Sequence, residues 1–241
     1  MIVVAATNVG KHRKNNEDSY YVDENKKFFI LADGMGGHLA GETASGLATQ
    51  ILSKNLSRLG ENPKDSDIIE EIKKSIKNAN EEIFNESKDI EQYRGMGTTL
   101  TLAYINNDEL FFANIGDSRI YKINKAYKKI EQLTRDDSYV NYLMEIGEIT
   151  EEEAKVHPKK NVLTKALGTN EKIDFEISKI KLEKSDIILL CSDGLTNMVS
   201  NDDILNLIIK NEPTKVHEIL IDEALKNGGI DNVTLILVYN E

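Results

Sequence analysis

The 241-residue chain is poor in the residues that would commit it to several common classes of protein. It has one cysteine, Cys191, so no internal disulfide can form, which fits a reducing compartment. It has only three prolines, Pro63, Pro158 and Pro213, no tryptophan, and no low-complexity stretch or internal repeat. Nothing marks a linker, and one domain over residues 1–241 is expected. No apolar run reaches the ~18 residues that cross a bilayer. The N-terminus turns polar within eight residues, without the order of a secretory signal. No block of Lys or Arg interrupts a formal net charge of −11. Nucleic acid and anionic membranes are therefore poor partners. The default is a soluble, cytoplasmic, monomeric protein.

What is present is periodic. Leu39 to Leu59 puts Ala40, Ala44, Leu47, Ile51 and Leu52 on one helical stripe. Ile68 to Phe84 does the same with Ile69, Ile72, Ile76, Ala79 and Ile83, and the short "GENPKDSD" between them predicts an antiparallel helix pair. Helices are also expected at 202–210 and near 214–226, where Val216, Ile219, Leu220 and Ala224 share a face. "TTLTLAY", "ELFFANI", "SRIYKI", "KKIEQLT", "IDFEISKIKL", "DIILLCS" and "VTLILVY" are β-branched or aromatic runs, and "NNDE" is a hairpin turn. Residues 135–170 are polar, with weaker helices. Sequential strands with helices grouped in blocks predict an α+β protein: two packed antiparallel β-sheets with helices over their outer faces.

One local pattern recurs. In "FFILADGMGGH" an apolar strand stops at Asp33-Gly34. In "DIILLCSDGLT" it stops at Asp193-Gly194. "NGGIDNVTLILV" puts Asp231 at the mouth of a strand, "KNNEDSYYV" puts Glu17 and Asp18 there, and "ANIGDSRIY" adds Asp117. A single Asp-Gly pair is ordinarily a turn, but several fused to apolar strands call for another reason. Converging carboxylates stay ionised only if a cation sits among them. The nearby cationic side chains are few: Arg13, Arg119 and Lys165. Oxygen donors without Cys/His spacing suit Mg²⁺ or Mn²⁺. Rival chemistries lack their residues. Asn197 stands where a cysteine-dependent phosphatase has its arginine after Cys191, and "GMGGHLAG" lacks the lysine of a nucleotide P-loop.

"RKNNED", "ADGMGGHLAGETAS", "GTTLTLA", "NIGDSRIY", "NVLTKALG", "LLCSDGL" and "GGIDNVTLIL" together resemble the serial motifs of the bacterial metal-dependent serine/threonine phosphatases, the protein phosphatase 2C type. They occur in the family's order along essentially the whole chain. The resemblance implies a four-layer αββα sandwich with helix pairs outside the sheets. It implies that Asp33 bridges two metal ions, that the Gly34 carbonyl binds one of them, and that Asp193 and Asp231 bind the second. It assigns further ligation to the acidic pair, to Asp18 with Glu17 as the alternative, and places Asp117 beside Asp193 around a third, weaker ion. It matches Arg13 to the arginine that grips the substrate phosphate. The implied cofactors are two Mn²⁺ or Mg²⁺ ions, which activate a water for direct attack on phosphorus. The implied substrates are phosphorylated proteins, and the implied partner is a Ser/Thr kinase with its own substrates.

Two departures from the family stand out. Met35 occupies the place where some members have histidine, leaving the general acid unassigned, with His38 nearby at the helix start. Asp136-Asp137-Ser138 replaces the usual Asp-His-Ser. Residues 136–160 resemble the family's mobile flap, where substrate choice would lie. A non-catalytic phosphoprotein-binding module and a Ca²⁺-binding structural protein are the alternatives.

Overall fold

The computed structural model describes residues 1–36 and 39–240; His38 lies outside them. The opening apolar runs form β1 (Ile2–Asn8), β2 (Asp18–Val22) and β3 (Phe28–Met35). Two long helices follow, α1 (Leu39–Leu56) and α2 (Asp65–Asp89). The β-branched block then forms β4 (Gly97–Thr98), β5 (Leu100–Asn106), β6 (Glu109–Ile115), β7 (Arg119–Asn124) and β8 (Lys129–Gln132). The polar segment carries α3 (Tyr139–Glu145) and α4 (Glu151–Val156). The chain closes with β9 (Ile177–Lys181), β10 (Asp186–Cys191), α5 (Asp193–Thr196), α6 (Asn201–Lys210), α7 (Val216–Lys226) and β11 (Val233–Tyr239).

The strands form two wholly antiparallel sheets. One has the order β1-β11-β10-β7-β8. The other has the order β2-β3-β5-β6-β9, with β4 added on β3. Alternation along each strand sorts side chains into layers. Phe28, Ile30 and Ala32 of β3 pack outward with Ala44, Leu52, Ile72 and Ile76 of the first helix pair. Phe29 and Leu31 pack inward against Ile188, Leu190, Ile236 and Val238 of the other sheet. Ile187, Leu189, Leu235 and Leu237 face outward onto Ile204, Ile208, Leu220 and Ala224 of α6 and α7. The expected αββα layering is therefore present. Each fully buried Leu or Ile in these layers contributes roughly 1.5–3 kcal/mol.

α1 and α2 run antiparallel, as their short connection predicts. α1 starts beside Gly34 and ends near Lys27, whose ammonium donates to the Gly60 carbonyl (3.2 Å). α2 starts near Asn106, which donates to the Pro63 carbonyl (3.3 Å), and returns to bring Ile83 against Gly168. Their ends differ from the periodic stretches. α1 stops at Leu56, after which Arg58 and Leu59 make tighter turns onto Asn55 and Leu56. α2 begins at Asp65 and continues to Asp89 through polar residues that have no apolar period. The run "IDFEISKIKL" is a strand only over Ile177–Lys181; Ile173 and Phe175 pack on the helix-side core instead. The "NNDE" hairpin is as expected, with Asn106 opposite Glu109 and Asn107 at φ 53°.

Antiparallel order brings the carboxylates to one edge. Asp18 pairs with Asp33 across β2 and β3. Cys191 pairs with both Arg119 and Leu235, so Asp193, Asp117 and Asp231 leave or enter the other sheet at its matching end.

Candidate active site

Asp33 lies at the end of β3, where hydroxyls hold its backbone on both sides. Its N–H donates to Thr99 Oγ1 (2.9 Å), and its carbonyl accepts from the Thr99 N–H (2.8 Å) and the Thr98 hydroxyl (2.9 Å). Thr99 sits in the break between β4 and β5 and shares a hydrogen bond with Ser118 Oγ (2.9 Å). Ser118 follows Asp117, so one hydroxyl pair ties the Asp33 strand to the Asp117 turn. At the next position a Cβ on Gly34 would collide with the Gly41 carbonyl, so only glycine lets β3 pass the first turn of α1. Gly194 is required in the same way, against the Asn232 carbonyl.

The neighbouring acids are equally well placed. Asp18 Oδ2 accepts from the Ser192 hydroxyl (2.9 Å), and Ser192 Oγ accepts from the Thr234 N–H (3.0 Å). Asp193 Oδ2 accepts from Asn197 (2.9 Å). Asp231 Oδ2 accepts from Arg13 Nη2 (2.7 Å), an ion pair in which Arg13 is 48% exposed and open to another anion. Asn232 pins the loop that carries Arg13: its amide donates to the carbonyls of Val9 (2.9 Å) and Asn15 (3.0 Å), and its Oδ1 accepts from the Glu17 N–H (2.8 Å). Glu17 lies beside Gly34, and its charge acts on Arg13. Its carboxylate lies against Gly41, and its carbonyl accepts from Gly34 N–H (3.0 Å) and Ser45 Oγ (2.6 Å).

The electrostatics report crowding. Burial, followed by the charges of Asp18, Asp193, Asp117 and Asp231, holds the Asp33 carboxyl well above the ordinary range. Burial is also the first cause for the other three acids. It pushes Asp18 up to about 7, with Asp193 and Asp231 adding to it. It pushes Asp117 up to about 8, helped by Asp193 and Asp136. It pushes Asp193 up to about 6, helped by Asp231. The aspartates therefore act on one another's charge from segments more than two hundred residues apart in sequence, with Asp231 at the more exposed rim.

The residues fit a hard-cation centre. Asp18 Oδ1 and Asp193 Oδ1 are buried and accept no hydrogen bond, a costly state unless a cation is their partner. Every candidate donor is an oxygen. Among the described residues, no three His, Cys, Asp or Glu side chains close on a single point as a complete ion cage. The carboxylates ring the space instead, as suits ions that keep several waters and take one or two carboxylates each.

The cations flanking the motifs are paired. Arg119 binds Asp136 (2.7 Å), and Lys165 lies 3.7 Å from Asp137. Ser138 caps α3 by accepting from the Asn141 N–H (3.3 Å). Beside Asp117 and Asp193, a cleft of about 570 Å³ opens between Val140, Met144 and Ala154 on one side and Met198 and Asn201 on the other. Cys191 is fully buried in the outer core, its thiol pushed up to about 12 by burial, and it takes no part in the site.

The sequence pattern of the protein phosphatase 2C family matches residues 10–223. The chain belongs to that family. This phosphatase is 39% identical over 240 residues to the serine/threonine phosphatase stp of Listeria monocytogenes, an alignment covering 98% of this chain and 94% of that one. Its fold superposes on the serine/threonine phosphatase Stp1 of Staphylococcus aureus with a TM-score of 0.92 at 35% identity, over 99% and 94% of the two chains. It also matches the catalytic domain of the serine/threonine protein phosphatase PstP, solved in complex with two manganese ions, with a TM-score of 0.87 at 33% identity over 98% and 96%. The phosphatase is thus of the metal-dependent protein serine/threonine class. No helix among its described residues is long and apolar enough to cross a membrane.

Reading the sequence brought out Asp18, Asp33, Asp117, Asp193, Asp231 and Arg13, and the structure brings all six to one edge. It missed Thr99, Ser118, Ser192 and Asn232, which tie together the segments that carry those side chains. Each lies inside a quoted motif, but a hydroxyl or amide carries no sign in sequence of which distant group it will meet.

Proposed function

We propose that this chain hydrolyses phosphoserine and phosphothreonine in proteins at a binuclear Mn²⁺ or Mg²⁺ centre held by Asp18, Asp33, Gly34, Asp193 and Asp231. Asp117 would join Asp193 around a third ion. The observation that carries this reading is the convergence of five aspartates with two buried carboxylate oxygens left without a donor. When bound, such ions supply Lewis-acid chemistry: they ionise a water near neutral pH and draw charge from phosphorus.

The protein's own residues orient and discriminate. Arg13, half-exposed on its pinned loop, offers a planar fork to a phosphate beside Asp231. Asp33 stands between the two sheets' contributions and is fixed by Thr98 and Thr99, which keeps the acids in register. Residues 136–160 act as a flap within a single domain, and the cleft beneath them is the path for the substrate polypeptide. The physiological partners are a Ser/Thr kinase and its substrates, and the working state is a cytoplasmic monomer.

The test is release of phosphate from a phosphothreonine peptide with Mn²⁺, with excess chelator, and by Asp33→Ala. Turnover that survives the chelator or the substitution overturns the proposal. Calcium-dependent stabilisation with no hydrolysis in Mn²⁺ would favour a structural cation site instead.

A further inference from the structure

Arg119 opens β7, two residues after Asp117, and faces Cys191 across the ladder, two residues before Asp193. A guanidinium in that position could lie against the acidic cluster, but its hydrogen bonds go elsewhere. Nε donates to both Asp136 oxygens (3.0 Å each), Nη2 donates to Oδ2 (2.7 Å), and Nη1 donates to the Tyr121 hydroxyl (3.1 Å). The Asp136 side chain is only 11% exposed and also accepts from Gln132 (2.9 Å). Its carbonyl accepts from Asn141 of α3 (2.9 Å).

The residue after it leads back to the acids. The Asp137 N–H donates to the Gly116 carbonyl (2.8 Å), and Asp137 Oδ2 accepts from the Gly116 N–H (3.3 Å). The far end of the segment closes on the same place: the Thr164 N–H donates to the Asp137 carbonyl (2.7 Å), and the Tyr139 N–H donates to the Val162 carbonyl (2.8 Å). Both roots of the 136–160 segment and the turn bearing Asp117 therefore form one knot. Its other ties are backbone hydrogen bonds, the Gly116 N–H to Asp137 Oδ2 contact and the longer Lys165–Asp137 ion pair (3.7 Å). The Arg119–Asp136 fork is a multiply bonded charged contact, and that geometry fixes a plane as well as a distance.

We propose that Arg119 is a positioning residue: through its fork on Asp136 it sets the pose of the 136–160 root. The segment walls the cleft that a polypeptide would follow, while a small ester needs only the acidic centre. Losing the fork should therefore tell on peptide substrates first. This kinetic consequence rests on the phosphatase reading; the mechanical one does not.

Arg119→Lys keeps a charge beside the acids but loses the fork, and Asp136→Asn keeps the shape but loses the charge. We expect either to raise the rate of limited proteolysis within 136–160 of the metal-free protein about tenfold, and to lower kcat/KM for a phosphothreonine peptide about tenfold. Hydrolysis of a small aryl phosphate should stay within about twofold. The double variant Arg119→Gln with Asp136→Asn, in which no buried charge is left alone, should cost no more than Arg119→Gln or Asp136→Asn by itself. Unchanged proteolysis with equal losses on both substrates would reduce the pair to a support for the acids and overturn the proposal. So would strictly additive effects, or a fall in Tm alone. If the unsubstituted protein hydrolyses neither substrate with Mn²⁺, the phosphatase reading fails, and the proteolysis and Tm measurements still decide the clamp.

Discussion

Asp18 and Asp33 are direct cross-strand partners on β2 and β3. Like charges opposite one another destabilise a sheet, and here both carboxyls are held above their ordinary range, first by burial and then by neighbouring acids. Such a pair costs the fold something and is best understood as a site built for a cation.

Asp33→Asn removes one of the crowded acids, whose ionisation is disfavoured by burial and by its neighbours. Melting of the metal-free protein should move to higher temperature, because activity and stability are opposed at this position. The rise in Tm on adding Mn²⁺ should shrink, and kcat/KM should fall at least about 100-fold. A thermal scan with and without Mn²⁺ checks the first two; an Asn variant that melts lower without metal would contradict the account.

The pH dependence of the metal-free protein follows from the same acids. Asp193, Asp18 and Asp117 are raised to about 6, 7 and 8, from 3.8 when unperturbed. Between about pH 4 and 8 the folded state therefore binds more protons than the unfolded one, and stability falls as pH rises. Saturating Mn²⁺ should displace those protons and remove the slope. Denaturation in chelator across pH 5–8 reads this directly, and a stability that climbs with pH would refute it.

Arg13→Ala should leave Tm nearly unchanged, since an exposed ion pair is worth about 0–1 kcal/mol. Losing its hydrogen bonds to a charged phosphate should lower kcat/KM about 10–100-fold, mainly through KM. Arg13→Lys should fall between, because an ammonium lacks the fork. Steady-state kinetics on one phosphopeptide separates the three; identical KM values would remove Arg13 from the phosphate site.

Thr99→Val keeps shape and removes the hydroxyl that accepts from the Asp33 N–H and bonds Ser118. The unsatisfied N–H should cost about 1–3 kcal/mol of stability. Mn²⁺ affinity, measured by calorimetry, should weaken about 10–100-fold as Asp33 and Asp117 lose their common support. Wild-type affinity in this variant would show that Thr99 only fills space.

The amino-acid sequence by itself determined the layers and the acidic inventory. Period 3.6 in α1 and α2 and the runs of β10 and β11 record which faces meet apolar neighbours, and an aspartate closing such a run is conspicuous wherever it falls. Helix ends were less legible: Asp65–Asp67 and Asn85–Asp89 are polar, and no apolar period marks those turns. Only the tertiary structure decided that Asp18 meets the Ser192 hydroxyl and the other acids, because strand register sets it opposite Asp33. It alone decided that Arg119 spends its fork on Asp136, and that Thr99, Ser118, Ser192 and Asn232 hold the site. Burial is a property of each residue and leaves a local trace, whereas a partner reached across the fold depends on how distant segments are brought together.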